Sequence, residues 1–406
     1  MIQLLPPSSP SIVGLIDLPA SKSISNRALV LSILSNSTMP IHHLADCDDT
    51  RVMLNTLQST GTHFDIGAAG TSMRFLTAYL STVVGDWTLT GSNRMKQRPI
   101  GVLVDALNQL GAKIEYAENE GYPPLRIHGR SLEGGGITLA GNISSQYISA
   151  LLMVAPTMKN GLELTLEGNI ISKPYIRMTL KMMETFGVSS VWNNQCISIV
   201  PQTYNPTEFT VESDWSAASY WFSIVSLCSK SRIKLLGLQK DSLQGDSKVV
   251  DLFIALGVYT EFTSDGVLLS NTGNYISKLT YDFVNQPDLA QTFVVCCCLH
   301  GIPFDFKGLH TLKIKETDRI AALINEMMKL GFVLEEPNEG SLAWNGKRCG
   351  ISSEPIRTYE DHRMAMAFAP AALRQAIKIE HPEVVSKSYP KFWDDLQSVG
   401  FSVVPQ

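Results

Sequence analysis

The chain has 406 residues, 44% of them hydrophobic and 17% charged, with a formal net charge of −5. That length exceeds one ordinary hydrophobic core, so two large domains are expected. The acidic balance argues against a broad nucleic-acid surface, no apolar run is long enough for a spanning helix, and any anion site must gather its cations locally.

The opening residues, MIQLLPPSSP, lack a basic stretch followed by an apolar one, so no signal peptide is expected. The seven cysteines show no paired CxxC spacing, and Cys296, Cys297 and Cys298 are adjacent in an apolar run. They read as free, buried, reduced thiols of a cytosolic protein, without structural zinc.

In chain order, the first helix start is PASKSISNRALVL, residues 19–31, where Lys22 or Ser23 lies about one turn from Arg27. Cations at a helix N-terminus oppose its dipole unless an anion neutralises both, so this start reads either as a solvated cap or as one wall of an anion receptor. GAAGTSMRFL, 67–76, sets Gly67, Gly70 and Thr71 before a helical run; glycine lets backbone amides approach an anion, and an ordinary turn is the plainer alternative. SNRMKQRPIG, 92–101, alternates Arg94, Lys96 and Arg98, with Pro99 expected to open the next helix. In NISSQYISALL, 142–152, Ser144 and Ser145 are N-cap candidates and Gln146 is the next donor. ISKPYIRM, 171–178, places Ser172 and Tyr175 ahead of a helix in the same manner.

Beyond the polar stretch PQTYNPT, 201–207, NQPDLAQT puts Asp288 at a helix start. KIKETDRIAAL, 313–323, puts Lys315 and Arg319 four apart on one expected helical face, with Glu316 and Asp318 in its first turn. EDHRMAMAF, 360–368, offers Asp361 as a cap and Arg363 as the head of an almost wholly apolar helix, and VSKSYPKFW, 385–393, adds Lys387.

Six segments repeat one pattern of amphipathic helix, glycine and short strand, with the glycines at Gly61, Gly111, Gly187, Gly257, Gly331 and Gly400. Each glycine suits the left-handed residue that ends a helix. Three copies lie before residue 200 and three after, which predicts duplicated α/β units whose apolar helices lie inside against sheets. Lys22, Arg27, Arg98, Lys315, Arg319, Arg363 and Lys387 at helix starts in both halves suit two strongly anionic small substrates held side by side.

PASKSISNRAL, AAGTSMR, RMKQRPIGVLVDAL, SSQYISALL, SKPYI, QGD, KIKETDRIAAL, DHRMAMAF and SKSYPKFW, in order over essentially the whole chain, resemble the EPSP synthase family of enolpyruvyl transferases. The resemblance implies an α/β (α+β) fold of two domains, each built of three βαβαββ units with buried parallel helices, closing over an interdomain cleft. The expected division is residues 1–19 with 214–406 as one domain and 20–213 as the inserted other. The implied reaction moves the enolpyruvyl group of phosphoenolpyruvate to the 5-hydroxyl of shikimate 3-phosphate, a step of the shikimate route to chorismate and the aromatic amino acids. A cytoplasmic monomer without metal or organic cofactor is implied, and the family is the target of the herbicide glyphosate.

By the same resemblance, Lys22, Ser23, Arg27, Ser144, Ser145, Gln146, Ser172, Asp288 and Lys315 hold shikimate 3-phosphate. Lys22, Gly70, Arg98, Gln146, Arg319, Arg363 and Lys387 hold phosphoenolpyruvate. Asp288 is implied as the base for the 5-hydroxyl and Glu316 as the acid for the methylene carbon, with Lys22 nearby. The chain departs from the usual family pattern at Ala20, at Ala68 and Phe75 around the glycine loop, and at Thr311. Two alternative readings stand beside this one. The related UDP-N-acetylglucosamine enolpyruvyl transferases usually carry a Cys in the loop before the residue matching Arg98, and SNRMKQR has none. A non-catalytic binder of phosphorylated metabolites would not need both Asp288 and Glu316.

Overall fold

Helical runs with no polar face cannot rest on a surface, and in the computed structural model, which describes residues 1–406, they become core. The chain forms two compact units, Ser21–Val211 and Met1–Ala20 with Glu212–Gln406. No helix is long and apolar enough to cross a membrane.

The unit Ser21–Val211 holds helices α1 (Lys22–Leu34), α2 (Asp48–Gln58), α3 (Gly70–Thr82), α4 (Gly101–Gln109), α5 (Ser145–Val154) and α6 (Lys173–Thr185). One sheet runs His63–Asp65, Gly85–Thr90, Leu125–Gly129, Ile114–Tyr116, its first pair parallel and the others antiparallel. With α3 and α4 as connections this is one βαβαββ unit. Gly135–Ala140, Leu162–Glu167, Cys196–Ile199 and Val191–Asn193 repeat it with α5 and α6. The third sheet is only a parallel pair, Ile41–His42 with Phe209–Thr210, so this unit departs from three full repeats.

The other unit holds α7 (Trp215–Leu227), α8 (Val249–Ile254), α9 (Ala290–His300), α10 (Arg319–Lys329), α11 (His362–Phe368) and α12 (Phe392–Ser398). Strand Ser11–Asp17 pairs parallel with Lys230–Leu236, which continues antiparallel to Gly266–Tyr275 and Leu256–Thr263. Leu279–Asp282 and Phe304–Lys307 are parallel, and Leu342–Trp344 closes that sheet. In the last sheet Ile2–Leu5 lies between Ile377–Ile379 and Ser402–Pro405, antiparallel to both. The rings of Phe253, Phe293, Phe283 and Phe306 form a chain through this core, with centroids 4.5 to 5.5 Å apart.

The repeat glycines are explained by backbone conformation at five positions. Gly111, Gly187, Gly257, Gly331 and Gly400 have φ between 76° and 103°, open to glycine without a Cβ clash. Gly61 differs: α2 stops at Gln58 with an extended Ser59 as cap, so no left-handed residue is needed there. The cysteine expectation also needs correction. Cys47, Cys296, Cys297 and Cys298 are buried, but Cys196 and Cys228 are half-buried and Cys349 is exposed; all seven are free. Burial pushes the Cys296 thiol up to about 11, which keeps it protonated and inert.

His300 ends α9 half-buried, its Nε2 2.7 Å from Ser226 Oγ, and burial followed by the Arg374 charge lowers its pKa from 6.5 to about 4. The unfolded chain takes up this proton near pH 6.5, whereas the folded one resists it until about pH 4. Its contribution is therefore complete above pH 6.5 and is lost between about 6.5 and 4, by roughly 2 kcal/mol after discounting for partial exposure. Melting temperature against pH is expected to fall less steeply on the acid side for His300→Gln than for the parent; equal slopes would assign the acid loss elsewhere.

Candidate active site

In the unit with both chain ends, helix capping sets the geometry. Asp318 Oδ1 accepts from the amides of Ile320 and Ala321, both at 3.1 Å, so α10 begins at Arg319. Lys315 and Glu316 consequently lie in the segment ahead of the helix. Lys315 therefore does not share a helical face with Arg319, and neither Glu316 nor Asp318 lies in the first turn, contrary to what the spacing predicts. Arg319 is 1% exposed and its guanidinium serves three carboxylates. Nε donates to Asp361 Oδ2 at 2.6 Å, Nη1 to Asp288 Oδ1 at 3.0 Å, and Nη2 to Glu316 Oε2 at 3.1 Å. Burial works against this charge, but Asp361, Glu316 and Asp288 more than offset it and raise the Arg319 pKa.

Asp361 caps α11 by accepting from the Arg363 amide at 2.9 Å. That aims the Arg363 side chain at Asp288, with Nη2 3.0 Å from Oδ2. Asp288 sits in the short turn Pro287–Leu289 that feeds α9, and Lys315 Nζ lies 4.0 Å from its Oδ1. Burial alone would raise the Asp288 pKa; Arg363, Lys315 and Arg319 together hold it well below the usual carboxylate range. Lys387 donates to Glu316 Oε1 at 3.1 Å. The six expected residues of this unit, Asp288, Lys315, Glu316, Arg319, Arg363 and Lys387, thus form one cluster.

Sequence reasoning gave no role to Asp246, present only within the QGD motif. Its carboxylate is 3% exposed and accepts from Ser216 Oγ, which also lies 3.5 Å from Arg363 Nη2. Burial, reinforced by the Asp288 charge, pushes Asp246 up to about 7. The stability it contributes is present below the ordinary carboxyl range and is lost as pH rises toward 7. The sequence marks Asp361 only as a cap; its pairing with Arg319, 42 residues away, has no local signal.

In the unit Ser21–Val211, α1 begins at Lys22, whose Nζ is 2.9 Å from Asp49 Oδ2. Asp49 is nearly buried and its backbone carbonyl accepts from Ser72, so it ties α1 to α2 and α3. Arg27 points inward. Nε donates to Thr179 Oγ1 at 2.7 Å, Nη2 to Ser149 Oγ at 3.0 Å, and Nη1 to the Ser23 carbonyl at 2.9 Å. Its guanidinium carbon lies 5.2 Å from the centroid of Phe75, one of the departures from the family pattern. Burial lowers Arg27 to about 10, still protonated at neutral pH.

Gly70 opens α3 with its backbone against Arg98: a Cβ there would lie 2.7 Å from Arg98 Nη1. Arg74 joins the two segments, donating to the Gly70 carbonyl at 3.1 Å and the Pro99 carbonyl at 3.2 Å. Pro99 precedes the Ile100 cap of α4 and is not its first residue. Ser144 caps α5, accepting from the Gln146 amide, while Gln146 Nε2 reaches Thr71 Oγ1 at 3.2 Å. Ser145 is the first residue of α5. Ser172 precedes α6 in a left-handed conformation with no side-chain cap bond, and Tyr175 lies inside that helix. Lys96 pairs at the surface with Glu118 at 2.8 Å, an ordinary solvated contact.

Carboxylates that share one buried arginine beside further cations, on a scaffold of βαβαββ units, are the groups that acid–base chemistry on anionic substrates requires. Comparison with known proteins names the family. The model of the family EPSP synthase (3-phosphoshikimate 1-carboxyvinyltransferase) matches residues 8–65 and 59–396. A 3-phosphoshikimate 1-carboxyvinyltransferase of Bacteroides fragilis (strain YCH46) is 56% identical over 400 residues, covering 98% of each chain. One from Photobacterium damsela subsp. piscicida is 37% identical over 418 residues, covering 96% of this chain and 97% of its own. The fold also matches a solved EPSP synthase from Acinetobacter baumannii, with a TM-score of 0.81 at 20% identity, over 100% of this chain and 99% of that one. The chain belongs to the EPSP synthase family.

Proposed function

We infer that the chain transfers the enolpyruvyl group of phosphoenolpyruvate to the 5-hydroxyl of shikimate 3-phosphate, releasing phosphate. The observation that carries this reading is the cluster in which Arg319 bridges Asp288 and Glu316 while Arg363, Lys315 and Lys387 stand against the same carboxylates. Asp288 takes the hydroxyl proton as the oxygen bonds to C2 of phosphoenolpyruvate, and Glu316 supplies the proton that C3 gains. The resulting tetrahedral adduct still carries its phosphate. Loss of a proton from C3 and breakage of the C2–phosphate oxygen bond complete the transfer. Arg319, Arg363 and Lys387, with Lys22, Gly70, Arg98 and Gln146 of the other unit, are assigned to phosphoenolpyruvate. Lys22, Ser23, Arg27, Ser144, Ser145, Gln146, Ser172, Asp288 and Lys315 are assigned to shikimate 3-phosphate. The cytoplasm as compartment and a single chain as working form belong to this reading.

Phosphate release from phosphoenolpyruvate tests it. Release is expected with shikimate 3-phosphate and not without it; release with UDP-N-acetylglucosamine in its place would overturn the assignment. Gly70→Ala is a second test. Its Cβ displaces the end of the Arg98 side chain, which is flexible, so folding changes little. Losing one charge-assisted contact is expected to raise KM for phosphoenolpyruvate roughly tenfold. An unchanged KM in steady-state assays would remove Arg98 from that role.

A further inference from the structure

Tyr359 and Glu360 directly precede Asp361 and have φ of 54° and 56°. Two successive left-handed residues that are not glycine are unfavourable and persist only when surrounding contacts hold them. The contacts come from α10. Glu326, fully buried and two turns beyond Arg319, accepts from the Tyr359 hydroxyl at 2.7 Å through Oε1 and from the Arg357 amide at 3.0 Å through Oε2. Lys329 pairs with the same carboxylate at 2.7 Å and donates to the Pro355 carbonyl at 2.8 Å. One helix therefore carries Arg319 at its first residue and, further along, the groups that hold the turn delivering Asp361 to it.

We propose that Glu326 and Tyr359 are positioning residues: their hydrogen bond holds the strained turn 357–360 so that Asp361 meets both Arg319 and the Arg363 amide. Asp361 is fully buried and bonds Arg319 through both oxygens, at 2.6 and 3.3 Å. A shift of its backbone moves two arginines together. Burial, then the bond to Glu326, raises the Tyr359 pKa to about 12, so the hydroxyl stays a donor. The consequence for substrate rests on the reading above, in which Arg319 and Arg363 hold phosphoenolpyruvate.

Tyr359→Phe removes the hydroxyl and keeps the ring. KM for phosphoenolpyruvate is expected to rise about fivefold, with kcat and KM for shikimate 3-phosphate within about twofold of the parent. Glu360 is exposed, and Glu360→Gly gives the turn a residue that adopts positive φ without cost. The double variant Tyr359→Phe/Glu360→Gly is expected to recover most of the lost affinity, which a merely structural defect would not allow. Amide hydrogen exchange over 357–363 supplies a readout independent of substrate, expected to quicken in Tyr359→Phe and to leave α10 unchanged. Unchanged exchange, or quickened exchange with an unchanged KM for phosphoenolpyruvate, overturns the proposal, as does failure of the glycine rescue. A parent protein that does not turn over phosphoenolpyruvate with shikimate 3-phosphate would instead overturn the functional reading, leaving the exchange result to decide the bracing itself.

Discussion

Asp288→Ala is expected to lower kcat by roughly a hundredfold to ten-thousandfold, the range for loss of a positioned general base, in a protein that stays folded. The carboxylate is held by Arg319, Arg363 and Lys315 below its usual range and so is a weak base with these cations facing it alone. Each substrate phosphate brings a charge of about −1.5 to −2 into the same field. Neutralising the arginines returns basicity to Asp288 when both reactants are present. The acid limb of kcat is therefore expected at higher pH than that of kcat/KM, since the two report loaded and free enzyme. Removing the carboxylate also leaves the arginines more available to anions, so KM for phosphoenolpyruvate is not expected to rise with the loss of turnover. Steady-state rates over pH, with a melting curve for the variant, check this; a kcat near that of the parent would take the base role from Asp288.

Asp361→Ala has the largest expected effect on stability. The ion pair with Arg319 is inaccessible on both sides, with side-chain exposures of 2% and 0%. Breaking a buried pair by removing one partner costs about 3–5 kcal/mol, because the remaining charge has lost its partner away from water. The same carboxylate caps α11, and losing a cap costs about 1 kcal/mol more, without strict additivity. Asp361→Asn retains an oxygen for the cap and for one guanidinium bond, so its loss is expected to be smaller. Urea midpoints for the two variants, read on both transitions where two are seen, test the order. Equal midpoints for Asp361→Ala and the parent would mean that Arg319 is adequately held by Asp288 and Glu316.

How much of this was legible in the sequence depends on the range of the interaction. Helix starts are local: Ser144 and Asp361 cap where their spacing says they should, and glycines such as Gly111 and Gly331 take the left-handed conformation. The expected Lys315–Arg319 face does not form, for a reason that is local. Asp318, at the threshold of α10, is a stronger cap than Glu316, and starting the helix there excludes Lys315. Arg27 was legible as a cation at a helix start. Its holders, Ser149 and Thr179, are 122 and 152 residues away, and nothing in their neighbourhoods marks them. Asp49 and Glu326 carry no local signal either, each an acidic residue on an otherwise ordinary amphipathic helix.

The strand Ile2–Leu5 bears on the order in which the protein assembles. Both of its neighbours, Ile377–Ile379 and Ser402–Pro405, are synthesised long after it. Residues 2–5, three of the four apolar, must therefore wait unpaired while the contiguous stretch 21–211 forms its own compact unit. During that interval the nascent chain exposes a segment prone to capture by other strands or by chaperones, and completion of its sheet is a late, long-range event.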